Sequence, residues 1–213
     1  MSNGDISIKN WIIVPAVITL LVTLLRLTGE LMRWNELFFG RGSGGGGSIV
    51  GISYLVPIFG IYFGYKLASA GHRPESLGKA ALWLVLGLVA SIALSIGVFA
   101  LSPQPSILGG IGGLITLAIV YWLASKGWSS LVRILTAYGF AARIPVAIVA
   151  LLAMYGNWGT HYELGPEGYE QPNLFLRWLE IGLFPQMTVW IVYTIVFGGL
   201  FACLGALFAR KSA

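Results

Sequence analysis

The fold is decided by residues 80–125, AALWLVLGLVASIALSIGVFALSPQPSILGGIGGLITLAIVYWLAS, which contain no charged side chain. Two apolar arms flank the cluster SPQPS at residues 102–106, a composition typical of a turn. Each arm approaches the ~20 residues that cross a bilayer of about 30 Å as a helix. We therefore predict two membrane-spanning helices joined by a tight hairpin turn.

The rest of the chain has the same character. Of its 213 residues, 57% are hydrophobic and 10% are charged, whereas soluble domains carry roughly 25% charged residues. We predict one all-α domain over residues 1–213, a polytopic integral membrane helix bundle with six transmembrane helices. The predicted spans are 10–31, 48–67, 80–101, 107–125, 131–155 and 183–209. A short interfacial helix is expected before the last span, at 173–180, because a proline precedes it and aromatic residues lie within it.

The distribution of lysine and arginine predicts the orientation, since cytoplasmic loops are enriched in both. With the N-terminus inside, the outer loops contain only Arg33, Arg41 and Arg177. The inner segments contain the remaining loop cations, namely Lys9, Lys66, Arg73, Lys79, Lys126, Arg133, Arg210 and Lys211. We therefore expect both termini in the cytoplasm, and the localisation that we predict is a bacterial inner membrane.

Several kinds of chemistry are disfavoured by the residues present. The single cysteine, Cys203, excludes an intrachain disulfide and a CxxC pair. The two histidines, His72 and His161, fall on opposite sides of the predicted membrane, which argues against a histidine-rich site. Ser48 and His161 share one side, but Ser48 has no GxSxG context, so we expect no enzymatic activity. We also expect no metal or other cofactor and no nucleic-acid partner, because the net charge of +5 follows from topology.

Arg143 is the most informative single residue, because it lies near the middle of the fifth predicted span. Placing arginine there costs at least about 2.5 kcal/mol, so the side chain should face the bundle interior or a wet cavity and find a partner. Pro145 should kink the helix and free the carbonyl group of Ala141. Two interpretations follow, an internal structural pair and a contact with a ligand, ion or lipid headgroup.

The first span supplies the candidate partner. Arg26, Glu30 and Arg33 have the spacing of one helix face. If the two arginines neutralise Glu30, the three form an interfacial charge ladder. If Glu30 instead turns inward, it is the acidic group nearest in depth to Arg143.

A glycine-rich stretch, GRGSGGGGS at residues 40–48, leads into the second span. Such a run lacks packing side chains and is flexible. Three interpretations are open: a passive linker, an engineered insert, and a loop whose amide groups approach a headgroup or anion.

The longest outer loop, residues 156–182, is rich in polar side chains, and four of them are candidate ligand contacts: Trp158, His161, Tyr162 and Glu163. With Arg143, Glu30 and Arg26, they complete the set of ligand-binding candidates. We interpret the loop as a lid over the mouth of the bundle, the alternative being an inert cap.

Residues 112–154, GGLITLAIVYWLASKGWSSLVRILTAYGFAARIPVAIVALLAM, resemble the Yip family of small polytopic membrane proteins. The resemblance rests on a span, a short basic loop, the pair Tyr138 and Gly139, and Pro145 in the next span. It implies a non-enzymatic role in membrane organisation or trafficking. Arg143 and the glycine-rich stretch are not features of that family.

Two functional hypotheses follow from these residues. The first is a non-enzymatic membrane protein that binds or translocates a small anion, amphiphile or lipid headgroup through an outward-facing polar cavity. The second is a structural or assembly protein, similar to a Yip scaffold, whose outer loops dock a partner. Membrane lipids are the expected partners in both, and a protein partner at the outer face is specific to the second.

Overall fold

The computed structural model describes residues 7–45 and 47–209, and all regular structure in these ranges is helical. This confirms the predicted all-α class. Arg210 and Lys211, which contribute to the predicted orientation, lie outside the described residues. The α-helices are α1 (Ile8–Leu31), α2 (Glu36–Phe39), α3 (Leu55–Ser69), α4 (Leu77–Leu101), α5 (Ile107–Gly156), α6 (Leu174–Arg177), α7 (Phe184–Met187) and α8 (Val189–Leu207). Short 3-10 turns cover Ser43–Gly45, Ile52–Tyr54 and His161–Glu163, and a π-helical turn, Trp178–Leu183, joins α6 to α7.

Within the described residues, four helical stretches are long and apolar enough to cross a membrane: Ile8–Leu31, Leu77–Leu101, Ile107–Gly156 and Leu174–Leu207. These helices fit an integral membrane protein. The second predicted span is represented by α3, which has 15 residues and is too short to count by itself. The fourth and fifth predicted spans are both contained in the 50 residues of α5.

Helix α5 is folded back on itself at Trp128, whose backbone angles, φ −156° and ψ 81°, interrupt the helix. Gly113 in its first half meets Thr188, and Arg143 in its second half meets Gln186. Because both halves lie beside the same turn of the last helical stretch, they run antiparallel. The basic loop predicted between the two spans is therefore a one-residue break in a continuous helical segment.

The break is held at the end of the molecule opposite the glycine-rich stretch. The indole N–H of Trp128 donates to the carbonyl oxygen of His72 over 2.8 Å. Gly127, the preceding residue, packs so closely on Ala80 that a Cβ atom would lie 2.8 Å from the Cα atom of Ala80. The tight turn therefore depends on glycine at position 127, where α5 packs against the first part of α4.

The hairpin predicted from residues 80–125 is present between α4 and α5. The hydroxyl groups of Ser102 and Ser106 lie 2.6 Å apart, and the Ser106 hydroxyl accepts a hydrogen bond from the Gly109 amide. Ser106 is therefore the N-cap of α5, as expected of a serine immediately before an apolar helix.

Small residues allow α3 and α8 to approach closely. Gly60 meets the backbone of Gly198, Gly64 meets that of Ala202, and Gly205 meets that of Ile61. Close backbone approach through glycine is the usual means by which helices associate in lipid.

The short helix predicted before the last span is present but is not separate from it. Asn173 caps its first turn by accepting hydrogen bonds from the amides of Phe175 and Leu176. The helical path then continues through the π-helical turn and α7 into α8. Pro185 lies inside this path, just after the π-helical turn, and does not end it.

The segments predicted to be outer loops gather at one end of the bundle, which we call the glycine end. There the Ser43 hydroxyl donates to the Gly165 carbonyl group over 2.8 Å. At the opposite end, Arg73 donates to the carbonyl group of Ala206, in the last turn of α8, and to that of Ala209, just beyond the helix. The core between the ends is centred on Tyr138, which is 1% exposed.

Candidate functional site: an arginine cavity beneath a clamped glycine segment

A cavity of about 970 Å³ extends from the glycine end into the bundle and reaches Arg143. Its walls come from the second half of α4, both halves of α5 and the start of α8. Its roof comes from the glycine segment, which we define as residues 40–51, and from the loop after α5. Gly46 within this segment lies outside the described residues.

Arg143 is buried, with 4% of its surface exposed. One terminal amine donates to the side-chain oxygen of Gln186 over 3.3 Å, and the guanidinium carbon lies 4.2 Å from the ring centre of Trp190. The other terminal amine has no hydrogen-bond partner among the described residues. Arg143 forms no ion pair with a described acidic residue, so its charge is compensated only by an amide and an aromatic face.

Pro145 does not interrupt the helix around Arg143, and the kink predicted there stays a prediction. Pro145 lies inside α5, but within this helix only Trp128 has non-helical backbone angles. The interruption of α5 is therefore at the opposite end of the bundle, where Trp128 contacts His72, and not at the proline.

A polar wall on α4 was missed by the sequence interpretation. Ser91, Ser95 and Ser102 all line the cavity. Ser91 and Ser95, at i and i+4, share one face of α4, which has no charged residue after its first turn, and Ser102 directly follows the last residue of that helix. The recurrence of serine at helical spacing in an otherwise apolar span was the available signal.

Glu30 turns inward, as one hypothesis proposed, but it does not meet Arg143. Its carboxylate accepts from the Arg26 Nε atom over 2.9 Å and lies 2.5 Å from the His161 Nδ1 atom. The second carboxylate oxygen accepts from the His161 amide over 3.0 Å. Glu30 is only 2% exposed. The predicted pairing with Arg143 is wrong because His161, from the loop after α5, occupies the inward side of the carboxylate.

The ladder interpretation is right for only one of its two arginines. Arg26 pairs with Glu30, whereas Arg33 lies beyond the end of α1, is exposed and has a positive φ of 54°. The helix ends before Arg33, so the predicted spacing no longer places it on the face of Glu30.

The remaining donors of Arg26 hold the glycine segment. One terminal amine donates to the Val50 carbonyl group over 2.9 Å. The other lies within hydrogen-bond distance of the carbonyl groups of Gly40 and Gly45, at 3.2 and 3.1 Å, and of the Ser48 hydroxyl, at 3.2 Å. The segment is therefore an ordered part of the bundle and not a passive linker, and in the described residues its carbonyl groups, not its amides, face the charged partner.

Gly45 has a specific steric reason to be glycine. Its φ is +67°, and a Cβ atom there would lie 2.9 Å from the His161 ring and 3.1 Å from the Arg26 guanidinium. Both the left-handed conformation and the close approach of its neighbours disfavour any residue with a side chain at this position.

The environment of His161 keeps its ring neutral. Burial lowers its pKa, because a second positive charge beside Arg26 would be desolvated, and the Glu30 carboxylate opposes this effect only in part. The ring of Tyr162 lies against that of His161, with 3.9 Å between the centres. Burial also raises the pKa of the Tyr162 hydroxyl, so Tyr162 is a neutral donor at the cavity wall.

The seven predicted ligand contacts divide into three groups. Arg143, Arg26, His161 and Tyr162 line the cavity, and Glu30 lies directly behind Arg26 and His161. Glu163 instead accepts hydrogen bonds from the amide and hydroxyl groups of Thr160, which fixes the loop after α5. Trp158 lies against Gly156 at the end of α5, outside the cavity lining.

Glu180, Ser48 and His161 at the site also have hydrogen-bond partners within the protein. Glu180 lines the cavity and accepts a hydrogen bond from the Tyr169 hydroxyl over 2.8 Å. Burial, and then the nearby Glu180 carboxylate, raise the pKa of Tyr169. The Ser48 hydroxyl donates to Gly40, while His161 Nδ1 faces Glu30. Within residues 7–45 and 47–209, no three His, Cys, Asp or Glu side chains lie close enough to hold a metal ion.

The fold and the cavity together define an all-helical protein whose long apolar helices fit an integral membrane protein. Comparison of the chain with protein families, with curated proteins and with solved structures finds no match. The resemblance to the Yip family therefore stays a prediction.

Proposed function

We propose that this protein is a six-span membrane protein that binds or translocates a small anion, or the anionic headgroup of an amphiphile, in the cavity that reaches Arg143. The observation that carries the proposal is the free terminal amine of this buried arginine, which faces no acidic partner among the described residues. A bound anion supplies the missing partner.

The energetics favour a ligand over a purely structural role. A buried cation without a counter-charge is costly, and the guanidinium group is suited to hydrogen-bond anions through two amines. Gln186 and Trp190 compensate part of the charge, and one terminal amine of this cavity-lining residue stays buried without a hydrogen-bond partner among the described residues. The neutral hydroxyl group of Tyr162 adds a donor to the same volume.

The test is a phosphate titration of the purified protein in a maltoside detergent, followed by thermal unfolding. Phosphate should raise the unfolding temperature of the wild type, because a ligand that binds only the folded state stabilises it. Arg143→Gln should abolish the phosphate-dependent increase. Arg133→Gln, an exposed arginine in the same helix, is the matched control and should retain it.

An equal phosphate response in Arg143→Gln and the wild type would overturn the proposal. It would favour the scaffold hypothesis, in which the loops at the glycine end dock a partner.

The proposed topology has the glycine end outside and both termini in the cytoplasm of a bacterial inner membrane. Two observations support it, the excess of lysine and arginine at the opposite end and the antiparallel halves of α5. Two single-cysteine variants in a Cys203→Ala background test this orientation. One carries Glu167→Cys at the glycine end and the other carries Glu75→Cys at the opposite end, and both positions are exposed. An impermeant thiol reagent added to intact cells should label only the cysteine at 167, and labelling at 75 alone would reverse the orientation.

A further inference from the structure

The cavity has an opening toward the side of the bundle, in addition to its roof of loops. Three residues that line it, Tyr54, Phe99 and Val189, are 63%, 65% and 61% exposed. They lie directly before α3, near the end of α4 and at the start of α8. The polar interior is therefore continuous with an exposed apolar surface.

The packing around α8 explains why the side is open. Gly198 of α8 faces Gly60 of α3, and the next residue, Gly199, faces Leu84 of α4. Neighbouring residues on a helix point about 100° apart, so α3 and α4 pack on different faces of α8. Toward the glycine end the cavity occupies the space between them.

The α4 wall of this opening is amphipathic. Ser91 and Ser95 share their side of α4 with Val98 and Phe99, Ser102 follows at the end of the helix, and all five line the cavity. Hydroxyl groups thus alternate with apolar side chains along the path from the interior to the exposed surface. Such a wall suits a ligand with both a polar and an apolar part.

The depth of Arg143 in the bundle also favours an amphiphilic ligand. Arg143 precedes the end of α5 at Gly156 by roughly 20 Å of helix. An amphiphile that enters through the side opening places its headgroup at this depth while its chain stays among the exposed apolar residues.

We infer that the ligand of this cavity is an anionic amphiphile such as an alkyl phosphate, which enters from the membrane side with its headgroup at Arg143 and its chain between Tyr54 and Phe99. The inference rests on the proposed function and names the ligand class for that site. A phosphate headgroup matches the donors present, because its several oxygen atoms accept from the arginine and from the hydroxyl groups.

The experiment compares inorganic phosphate, butyl phosphate and hexyl phosphate by titration calorimetry in maltoside. A methylene group fully removed from water tightens binding about fourfold, and one that is half removed about twofold. Hexyl phosphate should therefore bind at least about 10-fold more tightly than inorganic phosphate.

Two tryptophan variants of α4 test the route. Ser95→Trp obstructs the opening and should bring hexyl phosphate to within about twofold of inorganic phosphate. Ile96→Trp, at the adjacent exposed position outside the cavity lining, is the matched control and should keep the full difference. If Ser95→Trp no longer binds inorganic phosphate, Phe99→Ala replaces it, because loss of that apolar contact should reduce the gain from the alkyl chain alone.

The outcomes separate the two proposals. Arg143-dependent binding of inorganic phosphate with no gain from the alkyl chain would overturn the amphiphile inference and leave the anion site intact. An equal gain in Ile96→Trp and in the obstructed variant would also overturn the inference. Failure of all three ligands to bind would overturn the site itself.

Discussion

At the scale of single residues, the charged cluster of Arg26, Glu30 and His161 shows how a carboxylate is accommodated in an apolar bundle. Glu30 accepts three hydrogen bonds from groups that lie four and 131 residues away along the chain. Arg26 neutralises its charge, and His161 contributes donors without adding a second charge. Because His161 is neutral in the folded protein, the stability of the protein should depend on pH.

We predict that acidification destabilises the protein through His161. The folded state lowers the pKa of His161, so below the ordinary value of about 6.5 the unfolded chain binds a proton that the folded chain resists. Stability should be constant above that value with respect to this group, and should fall below it by up to about 1.4 kcal/mol per pH unit. Unfolding in mixed micelles from pH 5 to pH 8 measures this dependence.

The control for the pH prediction is a pair of histidine variants. His161→Asn should flatten the pH dependence in this window, whereas His72→Asn, at the opposite end of the bundle, should preserve it. A pH profile that is unchanged in His161→Asn would show that other groups cause the dependence.

At the scale of elements, the glycine segment is folded by contacts rather than by its own propensity. Four of its polar groups are within hydrogen-bond distance of Arg26, and this arrangement requires a left-handed residue at Gly45 next to the His161 ring. A segment that has little intrinsic structure is therefore ordered by one buried arginine. Its stability should depend strongly on a few positions.

Gly45→Ala should lower the free energy of unfolding by about 1–2 kcal/mol, because alanine disfavours the left-handed conformation and its Cβ atom would meet His161. Gly42→Ala is the matched control, since a Cβ atom at Gly42 meets nothing within 4 Å and its φ is not positive. Limited proteolysis of the glycine segment, with unfolding in mixed micelles, measures both variants. Equal sensitivity of the two would contradict the proposed role of Gly45.

At the scale of the whole molecule, the bundle is assembled around α8, which contacts α3, α4 and α5. The contact with α3 is made by glycines that pack directly on the backbone of the other helix. The same close packing should make the interface sensitive to single methyl groups.

Gly64→Ala should destabilise the protein by about 1–3 kcal/mol, because the added methyl group would enter the backbone of Ala202 and force α3 away from α8. Gly97→Ala on α4 is the control, since a Cβ atom there meets nothing within 4 Å, and helix propensity should make it neutral or slightly stabilising. Thermal unfolding compares the two variants. A loss in Gly97→Ala as large as that in Gly64→Ala would argue against the close α3–α8 contact.

Local patterns in the sequence were sufficient to predict several features of the structure. The charge-free arms around residues 102–106 predicted the α4–α5 hairpin, and the spacing of Arg26 and Glu30 predicted their pairing within one helix. The isolation of Arg143 in an apolar span predicted that it would be buried. Each of these depends on composition or on contacts within a few turns of helix.

Other features required contacts between distant segments. The sequence indicated neither that Trp128 would reverse α5 within one residue nor that the interfacial helix would continue into α8. The serine wall of the cavity appears only when α4 is placed beside α5 and α8.

The sequence by itself determined the all-helical class, the long apolar helices that fit a membrane protein, the hairpin and the burial of Arg143, because hydropathy and helical spacing act over short distances along the chain. Only the tertiary structure decided that His161, 131 residues from Glu30, would take its carboxylate and leave Arg143 without an acidic partner among the described residues. The physical reason is that such pairings depend on the rotation and crossing of whole helices, which are set by side-chain packing between segments and not by the local pattern of either one.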